Sequence, residues 1–154
     1  MLTRIYLDTS VIGGCLDEEF SFWSKKLFRE FEDRKKIAII SDLTLQELET
    51  APPAVRGLPH KIPEYAREFI SFGQEAEILA REYIHQRVVT TLHLVDAQHI
   101  AMATVEKVDV LVSWNFKQIV NLKKIHLFNS VNLKMGYPLL EIRSPREVLD
   151  EKEI

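Results

Sequence analysis

The sequence holds a single cysteine, Cys15, so no internal disulfide framework can staple the chain, and such sparing use suits a reducing compartment. Long apolar runs are absent. The longest stretch free of Asp, Glu, Lys and Arg is nine residues, against the ~18–20 that a membrane-spanning helix needs. The opening Met1-Leu2-Thr3-Arg4 is followed by only a few apolar residues before Asp8, too few for the core of a secretory leader. These absences predict a cytoplasmic protein with no membrane segment. Neither sign of charge dominates: 20 basic and 23 acidic residues leave a net charge of −3, so any binding of nucleic acid must use a local patch. Several reaction classes are excluded by missing motifs. Gly13-Gly14 runs into Cys15-Leu16 rather than the lysine of a phosphate-binding loop, and no G-x-S-x-G elbow occurs. The histidines at 60, 85, 93, 99 and 126 form no H-E-x-x-H and have no cysteine partner, which argues against a zinc site.

What is present reads as an ordinary globular chain. Its 154 residues suit one domain spanning 1–154, with an acidic end from Asp150 expected to fray. Ile5-Tyr6-Leu7 predicts a short buried strand ending in the polar turn Asp8-Thr9-Ser10, and Ile37-Ala38-Ile39-Ile40 a second strand. Val108–Val112 and Leu139–Ile142 predict two more. Between them, apolar residues at helical spacing predict helices over 18–34, 43–50, 64–70, 74–86 and from Asp96 onward. Asn115 is expected to start a further short helix, and Pro145 to occupy the first turn of a last one. Residues 51–63 hold four of the six prolines and predict a loop or broken helical stretch. Short apolar strands alternating with amphipathic helices predict an α/β fold, a central mostly parallel sheet with helices on both faces.

In such a sheet, ligands bind beyond the carboxyl ends of the strands. Asp8 and Asn115 fall there, and Glu47 and Asp96 lie near the starts of helices that follow or flank those ends. Carboxylates gathered in one cleft repel each other, and a divalent cation such as Mg²⁺ relieves that conflict through oxygen ligands. An ion so held, with a positioned water, suits displacement at a phosphodiester.

These residues carry a family resemblance. Tyr6-Leu7-Asp8-Thr9-Ser10-Val11-Ile12, then Leu45-Gln46-Glu47-Leu48, then Asp96-Ala97-Gln98-His99-Ile100-Ala101-Met102-Ala103, and finally Asp109 to Lys117 resemble the PIN-domain family, and within it the VapC-type toxins. The resemblance spans nearly the whole chain. It implies a three-layer α/β/α sandwich and a Mg²⁺- or Mn²⁺-dependent ribonuclease that pairs with an antitoxin protein, with dimers common. It implies Asp8, Glu47 and Asp96 as the metal site, with Ser10 and Ser113 in support. The fourth acidic position falls on Asn115, which offers an oxygen but no charge. That departure leaves open a second reading, a PIN-like domain that binds RNA or protein with little or no turnover.

Each residue also has a plainer reading. Asp8 and Asp96 suit turn and helix-cap positions. Thr44-Leu45-Gln46-Glu47 fits a capping box, although Ser41 or Asp42 is the better cap. Asn115 with Gln118 fits an N-cap equally well. His99, one turn after Asp96, is expected to be a hydrogen-bonded core histidine, and Trp114 and Phe116 core aromatics. Lys117, Lys123 and Lys124, with His126 and Lys134, concentrate positive charge after Asn115 and are read as an RNA-backbone surface or a solvated face.

Overall fold

The computed structural model describes residues 1–150. Five parallel strands form one sheet in the order β3-β2-β1-β4-β5: β1 is Thr3–Leu7, β2 Lys36–Ser41, β3 Arg67–Ile70, β4 Val110–Val112 and β5 Ile142–Arg143. Helices α1 (Thr9–Gly14), α2 (Ser21–Glu32) and α3 (Asp42–Glu47) follow the first two strands, with the short α4 (Pro53–Arg56) and α5 (Leu58–Lys61) in the proline-rich segment. Beyond β3 come α6 (Gln74–His85), α7 (Leu94–Val105), α8 (Leu122–Lys134) and α9 (Pro145–Val148).

Strand residues alternate between two cores. Tyr6, Ile39, Leu111 and Ile142 pack under α6, α7 and α8, whereas Ile5, Leu7, Ala38, Ile40, Val110 and Val112 pack with α1, α2 and the segment around Val55 and Ile62. Both faces are therefore covered, which is why the central strands read as continuous apolar runs rather than as an alternating pattern. The result is the α/β/α sandwich expected. Cys15 is buried, and burial pushes its thiol up to about 11. Among the described residues no helix is long and apolar enough to cross a membrane.

Three helices end alike. After α2, α6 and α7 the chain turns through Arg34, Arg87 and Lys107 at φ 61°, 61° and 54°, and the following amides bond back into the last turn. These are Schellman endings with a basic residue where glycine is usual; the left-handed backbone costs each about 1 kcal/mol.

Four elements differ from the sequence expectation. Residues 64–70 are not one helix: Glu64–Ala66 make a single tight turn and Arg67–Ile70 pair with β2 as the edge strand. Pairing outweighs the helical preference of Glu64, Ala66 and Glu68. Residues 9–14 are helical rather than a simple turn, because the Asp8 side chain caps them. No helix starts at Asn115. Ile119 and Val120 amides fold back onto the Asn115 carbonyl, and the helix begins after Asn121, whose side chain caps Lys124 N. The last strand is Ile142–Arg143 rather than 139–142, since Leu140's amide and carbonyl are taken by the Asn129 side chain. Of the tail expected to fray, 151–154 lie outside the described residues, and Asp150 is held: its amide donates to Glu30 and its carboxylate accepts from Lys36.

Candidate metal centre

The strand order reverses direction between β1 and β4, and side chains from the carboxyl ends of these two strands meet there. Asp8 follows β1 directly. Its Oδ2 accepts from Ser10 Oγ at 2.6 Å, Ser113 Oγ at 2.9 Å and, more weakly, Ser10 N at 3.3 Å. Ser113 follows β4, so these bonds tie the ends of adjacent strands across 105 positions of sequence. Ser10 Oγ in turn accepts from Trp114 N. Trp114 stacks on Phe20 and donates its ring N–H to Ser24. Gly14 makes room for this, since a Cβ there would stand 2.7 Å from both Ser24 Oγ and Trp114 Nε1. Trp114 is core, as expected; Phe116, half exposed, is not.

Asp96 sits in the first turn of α7, where the helix dipole favours a carboxylate. Its Oδ2 lies 3.5 Å from Asn115 Nδ2 and 3.5 Å from His93 Nδ1. Asn115 caps a turn rather than a helix: Oδ1 accepts from Lys117 N and Gln118 N, while the amide nitrogen faces Asp96. Glu47, at the end of α3, reaches the same place. Its Oε1 accepts from Thr9 Oγ1 at 2.6 Å and meets His99 Nε2 at 2.5 Å. Ser41, not Thr44, caps that helix, which frees Glu47 for the cluster.

His99 is the residue that sequence reading underrated. It is buried, as a core histidine would be, yet it also contacts Glu47 and lies 3.9 Å from Asp8 Oδ1. The signal was its spacing, three residues after Asp96 on the same helix face. Thr9, Tyr6 and His93 were not singled out as site residues, and only Thr9 and Tyr6 neighbour a motif residue in sequence. Tyr6, buried beneath the site, donates to Ser41 Oγ and accepts at 2.6 Å from His99 Nδ1. Asp42, at the start of α3, accepts from Phe72 N, and Asp109 accepts from Arg4 N.

The electrostatics are those of a shared acidic pocket. Burial, then the charge of Asp8, pushes the Asp96 carboxyl up, against the pull of His99 and His93. Burial alone would lower His99, but the hydrogen bond to Glu47 and the charges of Asp8, Glu47 and Asp96 outweigh it and raise it. Glu47 is lowered on balance, since bonds from His99 and Thr9 overcome its burial. Among the described residues no three His, Cys, Asp or Glu side chains stand as a ready-made metal group. Asp8 Oδ2 and Glu47 Oε1 are committed to hydrogen bonds instead. The donor types nonetheless fit a hard divalent cation: three carboxylates, one of them with its ionised form disfavoured by burial.

The basic residues after Asn115 divide. Lys117 and Lys123 are exposed, whereas Lys124 is half-buried and donates to Val88 O.

No protein-family model matches the sequence, and no curated protein matches it significantly. Solved structures do match. VapC20 of Mycobacterium tuberculosis, a sarcin–ricin-loop-cleaving toxin, is similar over 88% of this chain and 98% of its own, with a TM-score of 0.56 and 12% identity. A chain of VapBC2 from Rickettsia felis, solved bound to a DNA fragment from its promoter, is similar over 92% and 98%, with a TM-score of 0.55 and 15% identity. At these identities the likeness is one of fold: the chain shares the fold of these two structures.

Proposed function

We propose that the protein is a Mg²⁺- or Mn²⁺-dependent endoribonuclease and the toxin of a toxin–antitoxin pair, acting in the cytoplasm. One observation carries the reading. Beyond the strand ends where the order reverses, burial and then the charge of Asp8, with a smaller contribution from Glu47, push the Asp96 carboxyl up, as carboxylates sharing one place would. The fold shared with a sarcin–ricin-loop-cleaving toxin and with VapBC2 supports the substrate class and the partner.

Asp8, Glu47 and Asp96 would hold the ion. The chemistry such an ion would supply there is a bound water of lowered pKa and an offset to the charge on the phosphoryl oxygens. The chain's own residues prepare the place. Ser10 and Ser113 fix Asp8 through Oδ2, so that Oδ1 is the oxygen left to bind. His99 and Thr9 hold Glu47 through Oε1 in the same way. Asn115 turns its amide toward Asp96 and its oxygen toward the backbone.

The test is cleavage of a single-stranded RNA by purified protein. Cleavage should require Mn²⁺ or Mg²⁺, stop with EDTA, and fall by about 100-fold or more in Asp8→Asn and Asp96→Asn. The binding-only reading draws on Asn115, an uncharged residue whose oxygen is already engaged. RNA binding without metal-dependent cleavage would favour it.

A further inference from the structure

Beside the carboxylate cluster lies a cavity of ≈ 560 Å³ whose lining includes no carboxylate, within the ~300–1,000 Å³ typical of ligand pockets. Two cations line it. Arg87 follows α6, and Lys124 stands in the first turn of α8. Lys124 Nζ donates to a neutral acceptor, Val88 O, at 2.5 Å. Its other two protons, and the whole Arg87 guanidinium, have no partner among the described residues. Thr90, Thr91 and Gln118 add neutral donors to the lining. The cavity shares walls with the cluster: His93 lines it and places Nδ1 3.5 Å from Asp96, and the Gln118 amide donates to Asn115 Oδ1.

We propose that this cavity binds a backbone phosphate of the RNA strand, next to the one presented to the carboxylates; the inference rests on the ribonuclease reading. A strand approaching an acidic cluster on a chain of net charge −3 needs cations not already neutralised. Several basic side chains on the sheet and helices do not qualify. Arg4, Lys36, Arg81 and Arg143 are each paired with a carboxylate. A neighbouring cavity of ≈ 340 Å³ contains Arg81, but Glu77 bonds it there at 3.0 Å and would repel a phosphate. Arg87 and Lys124 are instead unopposed, and a guanidinium suits bidentate contact with phosphate oxygens.

The experiment measures binding of a fluorescein-labelled single-stranded RNA in EDTA, where no cleavage occurs. Arg87→Gln and Lys124→Gln should each weaken binding by about threefold to tenfold and reduce the slope of log K against log salt by ~0.7. Arg87→Lys and Lys124→Arg should restore the slope, which a merely structural role would not do. Thermal unfolding verifies that each variant is folded. Unchanged affinity in the doubly substituted Arg87→Gln/Lys124→Gln protein would overturn the subsite, and retained cleavage in that variant would leave the ribonuclease reading standing. Weakened binding together with a wild type that never cleaves would sustain the phosphate site and sink the ribonuclease reading alone. Titration with 5′-AMP distinguishes the source of the phosphate. Affinity equal to that of RNA, lost in the same variants, would assign the cavity to free nucleotide and overturn the strand proposal.

Discussion

The imidazole of His99 meets the carboxylate of Glu47 at 2.5 Å, although 52 positions separate them in sequence. On its other side the ring bonds the Tyr6 hydroxyl, which gives its own proton to Ser41. The ring is thus held between a hydroxyl and a carboxylate, and the charges of Asp8, Glu47 and Asp96 around it favour its protonated form.

This pair sets a pH dependence of stability in EDTA. His99 is raised above its ordinary 6.5 because Glu47 and the surrounding charges outweigh its burial; its contribution is complete below 6.5 and is lost as pH rises through the folded value. Glu47 is lowered below 4.5, so its contribution is present above 4.5 and lost as pH falls through the folded value. Asp96, raised above 3.8, instead costs stability as pH rises from 3.8 through its folded value. Urea midpoints should fall as pH rises above 6.5, where the contribution of His99 is lost. The fall should flatten in His99→Gln; an equal slope in that variant would assign it to another group.

Asp8 and Asp96 should respond in opposite ways to substitution without metal. Asp8 caps α1 and accepts from buried Ser113 and half-buried Ser10, so Asp8→Ala should cost about 1–3 kcal/mol from the lost cap and the stranded hydroxyls. Asp8→Asn keeps one acceptor oxygen and should cost less. Asp96→Asn removes a charge the pocket resists and should be neutral or stabilising. Denaturant unfolding in EDTA measures all three, and a stabilised Asp8→Ala would refute the capping role.

Asn115→Asp should keep the turn, because either oxygen can accept from Lys117 N and Gln118 N. Its second oxygen would face Asp96 Oδ2, where the amide nitrogen now lies at 3.5 Å. Metal-free stability should fall, Mn²⁺ affinity by calorimetry should rise, and RNA cleavage should be equal or higher. Unchanged Mn²⁺ affinity would place residue 115 outside the metal site and leave it as a turn residue.

Lys36 and Glu30 form a buried ion pair at 2.5 Å, with Asp150 as a second partner of the lysine. Replacing Lys36 by Met leaves the Glu30 charge stranded and should cost about 3–5 kcal/mol, whereas Lys36→Met with Glu30→Leu should recover most of it. Thermal or urea unfolding of the single and double variants reads the difference. An additive double variant would show that the pair does not act as one.

The layers and the cluster were legible in the sequence because they depend on local signals: apolar runs for the central strands, and acidic residues placed at strand ends and helix starts. What was missed depends on partners. Arg67–Ile70 carries helical preference and becomes a strand only because β2 offers an edge. Leu140 leaves the sheet for the Asn129 side chain. The double role of Asn115 needs Asp96 beside it, and His99 looks like any buried histidine until Glu47 arrives from another helix.

The position of β1 at the middle of an all-parallel sheet has a consequence in time. Its neighbour β4 lies more than a hundred residues downstream, and the bond between Asp8 and Ser113 spans 105 positions. At ordinary elongation rates of about 5–20 residues per second, some 5–20 s pass between synthesis of Asp8 and of the serine that holds it. Until then the growing chain has half a sheet, no Asn115 and no closed cluster. A chain built this way leaves the ribosome's tunnel with Asp8 unanchored, and one released before Ser113 never acquires that bond.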